Sequence, residues 1–384
     1  MRQVGIQGIG QTKINEHWKR SLRDLAGEAI QSAMNDGDRD TCDGLFTGNM
    51  LSGISNNQDL LGSLLADWSG MHHMEAVKIE TACSSGSAAF RSALMAVASG
   101  ELDSALVVGV EKMTDSNSQQ ITAALATAAD ADHEVDQGVS FVSLNALIMQ
   151  RYMHEFGWKH TDFAPFSINA HANAVHNPYA RLQKQITLEQ YQNAVMISSP
   201  INILDASPIG DGAAAILLAP IEDLSGNSKT IINASSSATD TLAIHDRSES
   251  TFLNAAYRSA KSAYLQARVQ PEDIDIFELH DAFSIMAALS MDACGFTERG
   301  QGPRLALDGE IFPGGRIPIC TRGGLKARGH PVGATGVYQL VEVVQQLRGE
   351  CGKTQVEDPK FGMAQSIGGS GATILTHILE KVTF

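Results

Sequence analysis

Cysteine and positive charge are both scarce in this chain, and each shortage argues against a class of protein. The 384 residues include five cysteines, scattered and without CxxC spacing, so neither a disulfide framework nor a zinc site is predicted. Lys and Arg number 28 against 43 Asp and Glu, which gives a net charge of −15. This balance argues against non-specific binding to nucleic acid or to anionic membranes.

Long apolar runs are also missing. No segment approaches the roughly 18 apolar residues of a membrane span, and the start, MRQVGIQGIGQTKI, lacks the basic-then-apolar order of a signal peptide. We therefore expect a cytoplasmic protein without a membrane span. Hydrophobic residues at 43%, charged residues at 18% and 35 glycines are typical of a globular α/β protein, and the length suits two domains or one large duplicated one.

The predicted elements follow the same order in two halves. Apolar strands at residues 4–9, 43–49, 75–81 and 104–110 alternate with helical patterns, and the order repeats after SGNSKT, from the strand TIINASS to the strand ATILTHIL. This predicts an α/β protein with two βαβ-type halves, residues 1–225 and 226–384. A shift in composition over about 111–208 predicts an inserted, mostly helical region, of the kind that often covers an active site.

One cysteine, Cys83, lies where a predicted strand becomes a helix, in TACSSGSAAF. A thiol at the first turn of a helix meets unpaired N–H groups and the positive end of the helix dipole, which favour the thiolate and lower the pKa. The small residues that follow leave room for a substrate, whereas an inert core thiol usually lies among large aliphatic side chains. We interpret Cys83 as a candidate nucleophile, with a buried packing residue as the alternative.

Two histidines and two glycine-rich segments complete the candidate site. His280 ends an apolar strand in FELHDAF, at the side of an α/β sheet where ligands bind. His330 lies in GGLKARGHPVGATG, whose glycines allow close approach of the backbone. The loop QSIGGSGA, residues 365–372, could offer N–H groups to an oxyanion. Each feature alone is more often an ordinary structural turn, so the case depends on their combination.

Taken in order, TACSSGSAA, SPIGDGAAA, ELHDAFS, GGLKARGHPVGATG and SIGGSGA resemble the thiolase family, in particular its archaeal-type and sterol-carrier-protein-type acetyl-CoA C-acyltransferases. The resemblance covers essentially the whole chain. It implies a duplicated, five-layered α/β fold and an acyltransferase that forms or cleaves a 3-ketoacyl-CoA such as acetoacetyl-CoA. Coenzyme A thioesters would be the substrates, without a further cofactor or a metal, in lipid metabolism such as the mevalonate pathway.

The resemblance also implies roles for single residues. Cys83 would take the acyl group, His330 would activate its thiol, and His280 would hold the thioester oxygen of the second substrate as it becomes an enolate. Backbone N–H groups of Cys83 and Gly368 would form the other oxyanion hole. A Claisen condensation needs all of these groups, because a covalent acyl-enzyme alternates with a developing oxyanion.

The chain departs from the family at the group that takes the α-proton. Thiolases usually carry a second cysteine in an HDCF-like or a CxGG-like segment, and these positions are Ala282 and Ser366 here. Alanine cannot accept a proton and a hydroxyl is a poor base unless a neighbour activates it, so Ser366 is a candidate substitute only. Cys294 and Cys320 could approach the site, but such thiols are more often packing residues.

The missing thiol leaves three functions open. The first is a thiolase that works through acyl-Cys83. The second is a decarboxylating, ketosynthase-like condensing enzyme, in which loss of carbon dioxide creates the carbanion. The third is a non-condensing acyl-CoA-binding subunit of a complex, for which the resemblance implies 3-hydroxy-3-methylglutaryl-CoA synthase and a small OB-fold protein as partners.

The resemblance further implies a homodimer or homotetramer. Coenzyme A carries phosphates, so an acidic protein must offer local cations or helix N-termini to bind it. The candidate cations lie in the inserted region, although exposed charges of this kind usually serve solubility: Arg151, Lys159, Arg181 and Lys184.

Overall fold

The computed structural model describes residues 2–226 and 228–383 and contains one nine-stranded mixed sheet, in the order β3-β2-β4-β7-β1-β8-β11-β10-β9, and a hairpin of β5 and β6. The strands are β1 (Val4–Gln11), β2 (Gly44–Gly48), β3 (Glu75–Ile79), β4 (Ala105–Glu111), β5 (Met196–Ser198), β6 (Ile201–Asn202), β7 (Gly212–Pro220), β8 (Ser228–Thr239), β9 (Ile276–Glu278), β10 (Phe361–Gly368) and β11 (Thr373–Thr383). The helices are α1 (Leu22–Asp36), α2 (Ser52–Ser55), α3 (Leu61–Trp68), α4 (Ser85–Ser99), α5 (Ser118–Ala126), α6 (Phe141–Phe156), α7 (Ala164–Ala174), α8 (Leu188–Gln192), α9 (Asn254–Ala267), α10 (Ser284–Ala293), α11 (Gly302–Leu307) and α12 (Thr335–Arg348).

The sheet consists of two halves with the same internal order. β2, β3 and β4 are parallel, and β7 runs antiparallel between β4 and β1. In the second half β9 and β10 are parallel, and β11 runs antiparallel between β10 and β8. The halves join where β1 pairs with β8. Each of β1, β2, β4 and β7 therefore has a counterpart in β8, β9, β10 and β11.

The two half-sheets and three layers of helices together form five layers. α1 and α3 cover the outer face of the first half-sheet, α9 and α10 cover the second, and α4 and α12 lie between the two. The residue patterns fit these positions. α1 buries one stripe that includes Leu25 and Ala29, as expected for an outer helix, whereas α12 is buried along nearly its whole length. The predicted duplicated, five-layered α/β fold is confirmed.

Glycines allow the two central helices to cross in close contact. A Cβ atom on Gly86 of α4 would lie 2.9 Å from the backbone oxygen of Gly333, and one on Gly336 of α12 would lie 2.4 Å from Oγ of Ser87. A larger residue at either position would force the helices apart. The crossing brings the start of α4, next to Cys83, against the start of α12, next to the His330 loop.

The segment between β4 and β7 contains α5 to α8 and the β5-β6 hairpin. It packs beside α10 and contributes part of the wall of the cavity described below. Within the described residues, no helix combines the length and the apolar character needed to cross a membrane.

Candidate active site

Cys83, His280 and His330 line one cavity of about 270 Å³, although they come from three separate segments in both halves of the chain. Exposed side chains of α5, Ser118 and Thr122, mark its mouth. The rest of the wall is mostly apolar and consists of Ile121, Leu125, Phe141, Val142, Ala206, Ile209, Ala282, Phe283, Met286, Val332 and Ile367, with Asn145, Ser207 and Gly369 as further polar or backbone surface.

The SPIGDG segment holds the two histidine segments side by side. The N–H group of Ser207 donates to the backbone oxygen of Ala282 at 2.8 Å, and the N–H group of His330 donates to that of Pro208 at 3.1 Å. Consecutive residues of one extended strand-like segment thus pair with both histidine segments. This explains why a motif without an obvious reactive group accompanies the other four.

Cys83 follows a strained turn. Ala82 has a φ of 53°, in the left-handed region that costs a non-glycine residue about 1–2 kcal/mol. Neighbouring serines hold the turn: Oγ of Ser85 accepts from the N–H group of Thr81 at 3.0 Å and donates to the oxygen of Ala82 at 2.6 Å, and Oγ of Ser84 donates to the oxygen of Thr81 at 2.6 Å. The serines after the cysteine therefore fix the position of the thiol.

The pKa of Cys83 is raised, not lowered. The cysteine keeps part of its surface open to the cavity, but the cavity lies inside the protein, and burial together with the Glu111 carboxylate raises the thiol pKa to about 12, against the opposing effect of the N–H groups of Cys83 and Gly369. The lowered pKa predicted from the position at a helix start is wrong, because burial in an apolar cavity outweighs the groups at the start of α4. Near neutral pH the thiol needs a base to take its proton.

Both histidines are buried and neutral. Burial and the Arg328 charge lower the pKa of His330 to about 3, and burial, His330 and Arg328 lower that of His280 well below its usual value. The two rings meet nearly perpendicular, with centroids 5.1 Å apart. A neutral imidazole offers one donor and one acceptor nitrogen, so each ring can serve one of the two tasks that the chemistry requires.

The surroundings of Nδ1 differ between the two rings. Nδ1 of His330 lies 2.7 Å from Oγ1 of Thr335, so Nε2 is the nitrogen left for chemistry. Nδ1 of His280 is buried and has no hydrogen-bond partner among the residues that the structure describes. Because an orphaned buried N–H group is rarer than an orphaned acceptor, we assign the His280 proton to Nε2, where it can donate to an oxyanion.

Glu111 hydrogen-bonds to both loops that flank the cavity. This residue was not identified from the sequence. Its carboxylate is fully buried and accepts hydrogen bonds from the N–H groups of Met50, Leu51 and Gly333 and from Nδ2 of Asn49. The only sequence signal was an acidic residue at the end of the apolar run SALVVGV, where a buried charge needs a set of donors.

The glycine-rich loop after β10 also reaches the nucleophile. A Cβ atom on Gly368 would lie 2.4 Å from the oxygen of Thr81, so Gly368 packs against the turn before Cys83. The backbone N–H groups that act on the thiol pKa are those of Cys83 and Gly369, and the role of Gly368 as an oxyanion donor stays a prediction. Ser366 is fully buried and donates to Oε1 of Gln339 at 2.5 Å; it is not among the residues that line the cavity.

The remaining candidates lie elsewhere. Cys294, which accepts from Nε2 of Gln365 at 3.1 Å, and Cys320 are buried outside the cavity wall. Among the proposed cations, Arg151 pairs with Glu155 and Arg181 pairs with Glu16, while Lys159 and Lys184 are exposed. In the described part of the chain, no group of three or more His, Cys, Asp or Glu side chains is arranged to hold a metal ion.

Comparison with known proteins identifies the family. The thiolase N-terminal domain matches residues 6–222, and the thiolase C-terminal domain-like family matches residues 236–381. An acetyl-CoA acetyltransferase of Methanothermobacter thermautotrophicus is 43% identical over 99% of this chain and 100% of its own length. Sterol carrier protein 2 of Bos taurus is 30% identical over 99% of this chain and 72% of its own length.

A solved structure shares the fold. The structure titled "Ltp2-ChsH2(DUF35) aldolase" has a TM-score of 0.85 at 24% identity, and the alignment covers 98% of this chain and 97% of that chain. The resemblance predicted from the five motifs is confirmed, and the chain belongs to the thiolase family.

Proposed function

We propose that this protein is an acyl-CoA C-acyltransferase that forms or cleaves a 3-ketoacyl-CoA, such as acetoacetyl-CoA, through an acyl-Cys83 intermediate. The observation that carries this proposal is the meeting of Cys83, His280 and His330 in one mostly apolar cavity. The relative that shares 43% identity with the chain is named an acetyl-CoA acetyltransferase, which supports acetyl as the transferred group.

In the first half-reaction, the Cys83 sulfur attacks the thioester carbonyl and its proton passes to Nε2 of His330. The N–H groups of Cys83 and Gly368, the donors that the family resemblance implies, would stabilise the oxyanion, and the N–H group of Gly369, which acts on the thiol pKa, is a further candidate donor. The bond from the carbonyl carbon to coenzyme A then breaks. The leaving thiolate takes the proton from His330, which returns to its neutral form.

In the second half-reaction, the α-carbon of a second thioester attacks acyl-Cys83. Nε2–H of His280 donates to the thioester oxygen as it becomes an enolate. The titratable side chains on the cavity wall are Cys83, His280 and His330; Cys83 is acylated and His280 is the donor, so we assign the α-proton to Nε2 of His330. When the carbon–carbon bond has formed and the bond to Cys83 breaks, the released Cys83 thiolate takes the proton from Nε2 of His330, and both residues return to their starting forms.

Assembly and location belong to the same proposal. We propose a homodimer or homotetramer, supported by the family resemblance and by the half-exposed edge strand β3, which could pair with another chain. Association with 3-hydroxy-3-methylglutaryl-CoA synthase and a small OB-fold protein, a cytoplasmic location and a role in the mevalonate pathway are proposed from the resemblance. The related structure whose title names a DUF35 partner supports a complex.

The division of the chain into two halves, residues 1–225 and 226–384, is also part of the proposal. The boundary between residues 225 and 226 falls between β7 and β8.

A second candidate function is favoured by Ala282, which occupies the cavity wall where the family usually has a thiol. A decarboxylating condensing enzyme would not need that thiol, because loss of carbon dioxide supplies the carbanion. Such an enzyme would consume a malonyl thioester, which a thiolase would ignore.

Intact-protein mass spectrometry tests the proposal directly. Purified protein is mixed with acetyl-CoA, or with acetoacetyl-CoA and coenzyme A, and products are followed in the same samples. We expect one acetyl group on Cys83 and cleavage of acetoacetyl-CoA, with both lost in Cys83→Ala and kept in Cys42→Ala, which removes a partly buried thiol away from the cavity. Acetylation without cleavage would favour the decarboxylating or partner-dependent enzyme, and no acetylation would favour a binding subunit.

A further inference from the structure

We propose that Thr335 is a positioning residue that selects the tautomer of His330 and stabilises its protonated form. The inference rests on the proposed function, in which His330 accepts a proton twice in each cycle. Thr335 is the first residue of α12 and is fully buried. Its Oγ1 atom lies 2.7 Å from Nδ1 of His330 and 3.3 Å from the backbone oxygen of Pro331.

A threonine hydroxyl has one proton to donate and can also accept. If it donates to the Pro331 oxygen, it accepts from Nδ1–H of His330, and Nε2 is left without a proton. If it donates to Nδ1 instead, Nε2 carries the proton and His330 cannot act as a base toward the cavity. The Pro331 oxygen lies within reach of the hydroxyl, and it therefore makes the base-competent arrangement available.

The surroundings of His330 offer little other help to an imidazolium. Within residues 2–226 and 228–383, no carboxylate hydrogen-bonds to the ring. The charged and titratable groups that act on the ring or share its cavity are Arg328, His280 and Cys83. Arg328 disfavours a second positive charge, so the hydrogen bond from Nδ1–H to Thr335 is the direct stabilising contact for the protonated ring.

The local fold explains why the residue five positions after His330 can reach it. A 3-10 turn over Val332–Ala334 turns the chain back, and the N–H group of Ala334 donates to the Pro331 oxygen at 2.8 Å. The carboxylate of Glu111 holds the N–H group of Gly333 at 2.9 Å from the other side. The turn therefore has little conformational freedom, and the Thr335 hydroxyl stays within hydrogen-bond distance of Nδ1 of His330.

Three substitutions distinguish the effect of the Thr335 hydroxyl from the effect of the side chain's shape. Thr335→Val keeps the shape and removes the hydroxyl, Thr335→Ser keeps the hydroxyl, and Thr335→Ala replaces the valine variant if that one does not fold. The matched control is Thr47→Val in β2, because Thr47 is also fully buried and its hydroxyl has no partner among the described residues. Thermal unfolding checks that each variant is folded.

Two readouts are compared across these variants. We expect the rate of Cys83 acetylation by acetyl-CoA to fall about 10- to 100-fold in Thr335→Val, the range for loss of a hydrogen bond to a charged group, and to stay within about threefold of wild type in Thr335→Ser. The second readout is the rate of Cys83 alkylation by iodoacetamide, measured as a function of pH, and it needs no acyl donor. Its profile should shift to higher pH in Thr335→Val, and Thr47→Val should match wild type in both readouts.

Equal acetylation rates in Thr335→Val and wild type would overturn the inference. Equal losses in the valine and serine variants would also overturn it, because the shape of the side chain, not the hydroxyl, would then matter. If the wild-type protein transfers no acyl group but Thr335→Val still shifts the alkylation profile, the proposed function fails and the role of Thr335 stands.

Discussion

Replacing Glu111 by glutamine should loosen the two loops beside the catalytic cavity. Oε1 of the carboxylate accepts from Nδ2 of Asn49 at 2.9 Å and from the N–H group of Leu51 at 3.0 Å, and Oε2 accepts from those of Met50 at 3.0 Å and Gly333 at 2.9 Å. Glutamine keeps the shape but puts an NH₂ group in place of one oxygen. Two of the four donors then face another donor.

The cost can be worked from these contacts. A hydrogen bond to a charged group contributes about 1.5–3 kcal/mol, so two lost bonds cost about 3 kcal/mol at the lower end. A neutral amide is easier to bury than a carboxylate, which offsets part of this. Asn49 cannot turn to compensate, because its Oδ1 accepts from the N–H group of Ser52 and its Nδ2 also donates to the oxygen of Val110. A net cost of about 2 kcal/mol corresponds to roughly 30-fold more frequent local opening.

Native-state hydrogen exchange measures that opening. Burial raises the pKa of Glu111 to about 7, so the experiment is run at pH 8, where the wild-type carboxylate is ionised. Amides in residues 49–52 and 332–336 should exchange about 30-fold faster in Glu111→Gln. The control is Glu101→Gln, which removes the same charge at an exposed position. Unchanged protection in both segments would show that the carboxylate does not hold them.

Three other predictions concern the thiol of Cys83, the crossing of α4 and α12, and the cavity wall at Ala282. Because burial raises the pKa of Cys83 to about 12, its alkylation by iodoacetamide should accelerate with pH throughout the range up to about pH 10; a plateau near pH 8 would contradict the buried thiol. Gly336→Ala should destabilise the fold by about 1–3 kcal/mol, since the new Cβ would lie 2.4 Å from Oγ of Ser87, and an unchanged unfolding temperature would refute the close crossing. Ala282→Cys should raise condensation less than about tenfold, because His330 takes the α-proton in the proposed mechanism; a far larger increase would show that a base is missing.

The fold could be predicted because its signals are local. The buried run at residues 104–110 became β4, and the apolar stripe that includes Leu25 and Ala29 became the inner face of α1. The small residues after Cys83 predicted a helix that leaves room for a substrate, and α4 begins at Ser85. Each of these patterns depends on a few neighbouring residues, so no knowledge of the tertiary contacts was needed.

The electrostatics of the site could not be predicted in the same way. The helix position of Cys83 suggested an acidic thiol, but the raised pKa depends on the walls that other segments build around it and on the Glu111 carboxylate. The contact between Thr335 and His330 depends on a 3-10 turn that the glycine-rich sequence does not specify. Ser366 was a candidate substitute base from the sequence, but its hydroxyl donates to Oε1 of Gln339, a residue of α12 that is distant in sequence.

The crossing of α4 and α12 places two helix N-termini next to one cavity, one from each half of the chain. Each N-terminus carries a partial charge of roughly +0.5, which offsets only part of the burial and of the Glu111 charge that raise the pKa of the Cys83 thiol. No lysine or arginine is among the residues that line the cavity, so the support that this lining offers to a negative charge comes from backbone groups and from neutral side chains. The two helix starts belong to different halves of the chain, so the duplication brings a pair of equivalent backbone elements to one reaction centre.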